Sequence, residues 1–149
     1  MSIDKIKQLR EETGVSITEC QKALTETKGN IEEAKEVLRK RGAALAQKKK
    51  DRVTSQGIVD CYIHPNKKIG VLLELNCETD FVAKGKDFQD LAHELCLQIA
   101  GTQVDDEKTS LLQQPWIKDE SKTVKELVDE YISKLGENII VKRFVRYQL

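Results

Sequence analysis

The run Glu74-Leu75-Asn76-Cys77-Glu78-Thr79-Asp80-Phe81-Val82-Ala83-Lys84 decides how the rest of this chain is read. Into it lead Val71, Leu73, Leu75 and Cys77, spaced two apart as on the buried face of a β-strand. After Cys77 the strand runs out into a short polar turn, and Gly85 precedes a new helical pattern. The turn carries an apolar pair, Phe81-Val82, beside the carboxylate of Asp80. A large aromatic at such a connection is by default tucked back into the core. The alternative is an exposed wedge, because connecting loops run over the surface and often carry function. The residues of the turn leave both readings open.

Outward from this run, residues 58–64 and 69–77 are β-rich, and Pro65-Asn66-Lys67-Lys68 supplies the turn of a hairpin. On the other side, Phe88, Leu91, Ala92, Leu95 and Ile99 fall on one face of a helix that ends at Gly101. Residues 101–122 keep no sustained period and contain Asp105-Asp106 and Pro115-Trp116. A loop of that length in a small domain marks either function or a shortened insertion. Thr123 with Glu126 has the spacing of a helix cap, followed by Val124, Leu127, Val128, Tyr131 and Leu135 at helical intervals. Gly136 ends that helix, and residues 139–147 read as a final strand. The expectation is an α+β core: a three-stranded antiparallel sheet with helices on one face. Its strands carry apolar residues on both faces, and such a sheet associates with a second copy more readily than it tolerates a solvated back.

The first forty-odd residues predict three short helices. Ile3, Ile6 and Leu9 precede Gly14. Ser16 with Glu19, and Asn30 with Glu33, have capping spacing. Cys20, Ala23 and Leu24, then Ile31, Ala34, Val37 and Leu38, supply the apolar stripes. The helix-turn-helix spacing does not make a DNA-binding surface, because Glu11, Glu12, Glu19, Glu26, Glu32 and Glu33 would repel phosphates. The basic run Lys48-Lys49-Lys50-Asp51-Arg52 reads as a solvated helix end or linker. The expected division is a three-helix module with a basic linker over 1–55 and the α+β core over 56–149.

Composition narrows the function. Of the 149 residues 39% are hydrophobic but only 5% aromatic, so the core is mainly aliphatic. The formal net charge of zero provides no whole-molecule attraction to nucleic acid or anionic lipid. No apolar run approaches the roughly 20 residues that span a bilayer, and Met1-Ser2-Ile3-Asp4-Lys5 lacks the layout of a signal peptide. A cytoplasmic protein is expected. Cys20, Cys61, Cys77 and Cys96 are too widely spaced for a thiolate cluster, and only His64 and His93 could join them, so no metal site is expected. Neither a glycine-rich phosphate loop nor a recognisable Ser/His/Asp set is present. The expectation is a protein without covalent chemistry or a cofactor of its own.

The run 74–84 resembles a signature of the elongation factor Ts family, the nucleotide-exchange factors of elongation factor Tu. A second similar run is Leu9-Arg10-Glu11-Glu12-Thr13-Gly14-Val15-Ser16-Ile17-Thr18-Glu19-Cys20-Gln21-Lys22-Ala23-Leu24, and a third is Gly136-Glu137-Asn138-Ile139-Ile140-Val141-Lys142-Arg143-Phe144. The resemblance implies a ubiquitin-associated-like first module, an α+β core, and exchange of guanine nucleotide on elongation factor Tu, met GDP-bound and nucleotide-free. It implies that Phe81 lodges between helices of the partner's G domain, near its Mg²⁺ and phosphates. Asp80 helps hold that contact, within the turn Thr79-Asp80-Phe81-Val82. By position, Arg10, Ile17 and Thr18 would dock the first module on the G domain. Family members usually show Asp-Cys-Lys where this chain has Glu19-Cys20-Gln21. Short members with one core half pair to rebuild the long form, which implies a homodimer through the sheets, with Val141, Phe144, Val145 and Tyr147 of the final strand at the contact. Direct contact with nucleic acid or membrane is not expected.

Overall fold

A computed structural model describes residues 2–102 and 108–149. Helices α1 (Ile3–Thr13) and α2 (Ile17–Glu26) and the first half of α3 (Ile31–Lys49) enclose a small core of Leu9, Cys20, Ala23, Leu24, Ala34 and Leu38. The expected caps form: the Ser16 hydroxyl accepts from the Glu19 amide at 3.3 Å and the Asn30 carboxamide from the Glu33 amide at 3.2 Å. Each satisfies a donor the helix itself leaves free.

The third helix is not short. It runs for 19 residues, through Gly42 and the alanine-rich stretch, and ends at Lys49 inside the basic run, so only residues 50–55 connect it to β1. Ala, Leu, Gln and Lys are strong helix formers and outweigh one glycine, which costs about 1 kcal/mol; lysines at the last turn also suit the helix dipole. Gly42 lies where α3 crosses α7 (Val124–Leu135): a Cβ there would stand 3.8 Å from Ser133 Cβ and 4.0 Å from the Asp129 carbonyl. Beyond the crossing, Ala46 is buried in the larger core. One helix thus serves both halves of the molecule.

The core sheet has the expected antiparallel strands, β1 (Gln56–Ile63), β2 (Ile69–Cys77) and β5 (Ile140–Gln148), in the order β1-β2-β5. Pairing sets its two faces. Ile58, Leu75 and Val141 form one row, Asp60, Leu73 and Phe144 the next, and Tyr62, Val71 and Arg146 the third, all on the face toward the helices. The opposite face carries Val59, Cys61 and Ile63, then Leu72 and Glu74, then Arg143, Val145 and Tyr147. Lys142 has no opposite residue: the register shifts between Glu74 and Leu75, a bulge that reverses the alternation along β5.

Between β2 and the helix α5 (Lys86–Gly101) lies α4 (Asp80–Ala83), a single turn. Helix α5 packs on β1 and β2, and α7 packs on α5 and α3. Within the stretch expected to be irregular lie α6 (Lys108–Gln113) and a two-stranded ribbon of β3 (Pro115–Trp116) and β4 (Asp119–Thr123). The fully buried Gln98 fastens the ribbon to α5. Its carboxamide donates to Gln114 Oε1 and the Pro115 carbonyl, both at 3.1 Å, and accepts from the Ile117 amide at 2.8 Å. Asp105 and Asp106 lie outside the described residues.

Candidate functional site: a braced aromatic corner

Strand β2 ends at the buried Cys77, and the chain must turn at once to start α5. The Thr79 hydroxyl caps α4, accepting from the Val82 amide at 3.3 Å. A single helical turn lying on the core buries only one side of itself. Val82 is 8% exposed and packs with Ala83 against the core, whereas Phe81 is 87% exposed. Of the two readings of the aromatic, the exposed one describes the molecule. The apolar pair does not act together: Val82 anchors the corner and Phe81 projects from it. Asp80 and Lys84, which flank Phe81–Ala83 in the chain, form an exposed ion pair at 2.8 Å.

The corner is braced from the far end of the chain. Gly136 ends α7 in the left-handed conformation at φ 75°, which L side chains rarely adopt, and this reversal aims Glu137 back at β2. Glu137 Oε1 accepts from the amides of Glu78 at 3.1 Å and Thr79 at 2.9 Å, and its Oε2 accepts from the Thr79 hydroxyl at 2.6 Å. In return, Glu78 Oε1 accepts from the Asn138 amide at 2.8 Å. The buried Asn138 side chain donates to the carbonyls of Lys50 and Arg52, closing the end of α3. Lys49 donates to the Gly136 carbonyl at 2.8 Å, and Arg52 lies 3.6 Å from Glu78. Part of the basic run is thereby engaged at this junction. Sequence reasoning passed over Glu137; its only signal was membership of the third family-like run.

Arg10 lies in the last turn of α1, and Ile17 and Thr18 open α2; all three are exposed around the turn at Gly14. The Lys134 stem lies 3.6 Å from where a Cβ on Gly14 would stand, and its ammonium lies 3.3 Å from Asp87 in the first turn of α5. Lys134 therefore links the α1–α2 turn to the start of the helix that follows Phe81.

The dimer residues expected on the last strand divide between the two faces. Val141 is buried and Phe144 packs against the helices, so neither can meet a second sheet; Val145 and Tyr147 lie on the outer face. The bulge at Lys142 is the reason, since simple alternation carries across it only with a change of face. With Val145 and Tyr147 stand Val59, Cys61, Ile63 and Leu72, the first three from a strand whose outer residues sequence reasoning did not single out. Leu72 is 50% and Tyr147 75% exposed, and Arg143 pairs with Glu74 at 2.9 Å among them.

The four thiols are free and differ in setting. Burial pushes Cys77 up to about 11 and Cys96 up to about 12, and raises Cys20; Cys61 is exposed on the edge strand β1, in the middle row of the outer face opposite Leu72 and in line with Val145. Among the described residues no group of His, Cys, Asp and Glu is placed to hold a metal ion, and no helix is long and apolar enough to cross a membrane.

The corner holds an aromatic in the open on a hydrogen-bonded frame, and the proteins this chain is similar to are translation elongation factors. Residues 78–149 match the family model described as Elongation factor TS. The chain is 42% identical to the elongation factor Ts of Coprothermobacter proteolyticus, the match covering 100% of this chain and 98% of that protein. It is 41% identical to that of Thermotoga neapolitana, over 100% of this chain and 97% of the relative, and 41% identical to that of Moorella thermoacetica, over 97% and 93%. The chain belongs to the elongation factor Ts family. The first of these matches extends over 193 positions against the 149 residues of this chain, so the relative carries internal residues that this chain lacks.

Proposed function

We propose that this chain is a guanine-nucleotide exchange factor for elongation factor Tu, a cytoplasmic partner in translation that promotes release of GDP. The observation that carries the mechanism is Phe81, a large apolar ring 87% exposed on a turn fixed by Thr79, Val82 and Glu137. A ring already held in place binds with little loss of conformational freedom, and buried aromatic anchors supply much of the energy of protein interfaces. Phe81 enters the G domain beside the Mg²⁺ and phosphate site, with Asp80 flanking it. Thr79 and Val82 serve from behind, as cap and anchor. Asp80 is paired with Lys84 in the free chain, so the contact either exchanges that partner or takes the pair as a unit. Binding the nucleotide-free state better than the GDP state weakens GDP affinity by the same factor, by thermodynamic reciprocity.

The ubiquitin-associated-like first module docks through Arg10, Ile17 and Thr18 and adds affinity, held in register with the corner by the shared helix α3. Two copies join through the outer faces of their sheets, so that one active assembly holds two chains and two partners. Apolar residues on all three strands of that face favour this arrangement. Loading elongation factor Tu with a fluorescent GDP and adding the chain tests the function: release should quicken with chain concentration. Release at the intrinsic rate would refute it. A nucleic-acid-binding alternative built on the basic run is disfavoured, because Lys49 and Arg52 are turned to Gly136 and Glu78.

A further inference from the structure

Glu137 makes more hydrogen bonds to the Phe81 corner than any fold requirement of its own strand explains. It precedes β5, its carboxylate takes no part in the sheet, and among the described residues its three side-chain hydrogen bonds all go to two residues of the turn, 58 and 59 positions away. We propose that Glu137 is the positioning residue for exchange, setting the direction in which Phe81 projects; this rests on reading Phe81 as the anchor. The argument is one of hydrogen-bond direction. A hydroxyl has one proton and two lone pairs. Because Glu137 Oε2 takes the Thr79 hydroxyl proton at 2.6 Å, a lone pair of the Thr79 hydroxyl oxygen is left to accept from the Val82 amide at 3.3 Å, which is the cap of α4. Oε1 meanwhile fixes the two amides just before that cap.

Three consecutive donors are thus tied to one carboxylate, and the residue that follows them by two is the exposed ring. Bonds to a charged acceptor are shorter and stronger than neutral ones. The reciprocal bond from the Asn138 amide to Glu78 Oε1 stops the frame from pivoting about a single contact. A one-turn helix has too few internal bonds to persist alone, so the frame, and not the turn, fixes where Phe81 points.

Glu137→Ala and the milder Glu137→Gln are made singly and together with Phe81→Ala. Two quantities are read: amide hydrogen exchange over residues 78–82 in the free chain, and the maximal rate and half-saturation of GDP release from elongation factor Tu. Glu137→Gln keeps an acceptor for the amides but presents a donor group to the Thr79 hydroxyl, so it carries the test if the alanine variant unfolds. Glu137→Ala should speed exchange at Thr79 and Val82 about tenfold or more and lower the maximal release rate by a similar factor. The glutamine variant should show a smaller loss of the same kind. In the Phe81→Ala background neither substitution should slow release further, because there is no ring left to position. The same loss in both backgrounds would overturn the proposal, as would unchanged hydrogen exchange. Release lowered by Phe81→Ala yet untouched by either Glu137 variant would overturn the positioning role alone; release untouched by Phe81→Ala would overturn the anchor reading beneath it.

Discussion

Phe81 and Val82 are adjacent apolar residues with opposite fates, and the proposed function rests on the difference between them. Val82 fills the space behind α4, and Phe81 stands outside it. Phe81→Ala should therefore leave the melting temperature within a degree or so, since surface substitutions away from such packing are small. It should cost about 2–4 kcal/mol of interface energy, as truncated anchors do. A calorimetric scan beside a GDP-release assay separates the two effects, and a variant that unfolds would place the ring in the core. The thiols offer a second check at this scale. At pH 8, Cys77 and Cys96, raised to about 11 and about 12, present thiolate at only about one part in 10³ and 10⁴. A maleimide added to the folded protein should modify Cys61 first, at a rate set by how far the outer sheet face is covered, and spare the other three until the chain is denatured. Modification of Cys77 at the rate of Cys61 would show that the end of β2 opens.

At the scale of elements, α3 and the ribbon carry the findings that periodicity could not show. The caps at Ser16, Asn30 and Thr123 were legible, because a cap is a local bond between residues three apart. Strand β2 and α5 were legible because their periods are unbroken. The continuation of α3 was hidden by Gly42, which reads as a stop in the sequence and is a helix crossing in the fold. The faces of β5 were hidden by a bulge, which depends on the partner strand and leaves no mark in the alternation. The ribbon is too short to show a period, and only Gln98, a polar residue on an apolar helix face, hinted that α5 holds something. These features are open to test. A Cβ at Gly42 meets only ordinary contacts at 3.8 and 4.0 Å. Gly42→Ala should therefore stabilise the chain by about 0.5–1 kcal/mol, whereas Gly42→Leu should destabilise it by about 1–3 kcal/mol by prising α3 from α7. Thermal melts of both decide it; a stabilising leucine would mean that the crossing is not close. Gln98→Leu leaves the Pro115 carbonyl and Ile117 amide without their partner. It should cost about 1–3 kcal/mol and alter the emission of Trp116, the chain's single tryptophan.

At the scale of the whole molecule, one end of the sheet region presents the Phe81 corner, and the outer face of the sheet presents an apolar surface that none of the described helices covers. Contiguous apolar surface of this kind marks an interface, and a twofold contact places the same residues of each copy opposite one another. Sedimentation equilibrium should give twice the chain's mass, and Leu72→Asp, in the middle row beside Cys61, should give the single mass without unfolding. Cys61 should then react faster in the aspartate variant than in the parent. The central claim is that the assembled chain acts repeatedly as an exchange factor, and it is tested most directly by substoichiometric exchange. Elongation factor Tu carrying fluorescent GDP is mixed with excess unlabelled GDP and far less chain than Tu, and release is followed to completion. The account predicts that all of the labelled nucleotide leaves, at a rate proportional to the chain added and largely lost with Phe81→Ala. Release at the intrinsic rate, or a burst that stops at one nucleotide per chain, would contradict it.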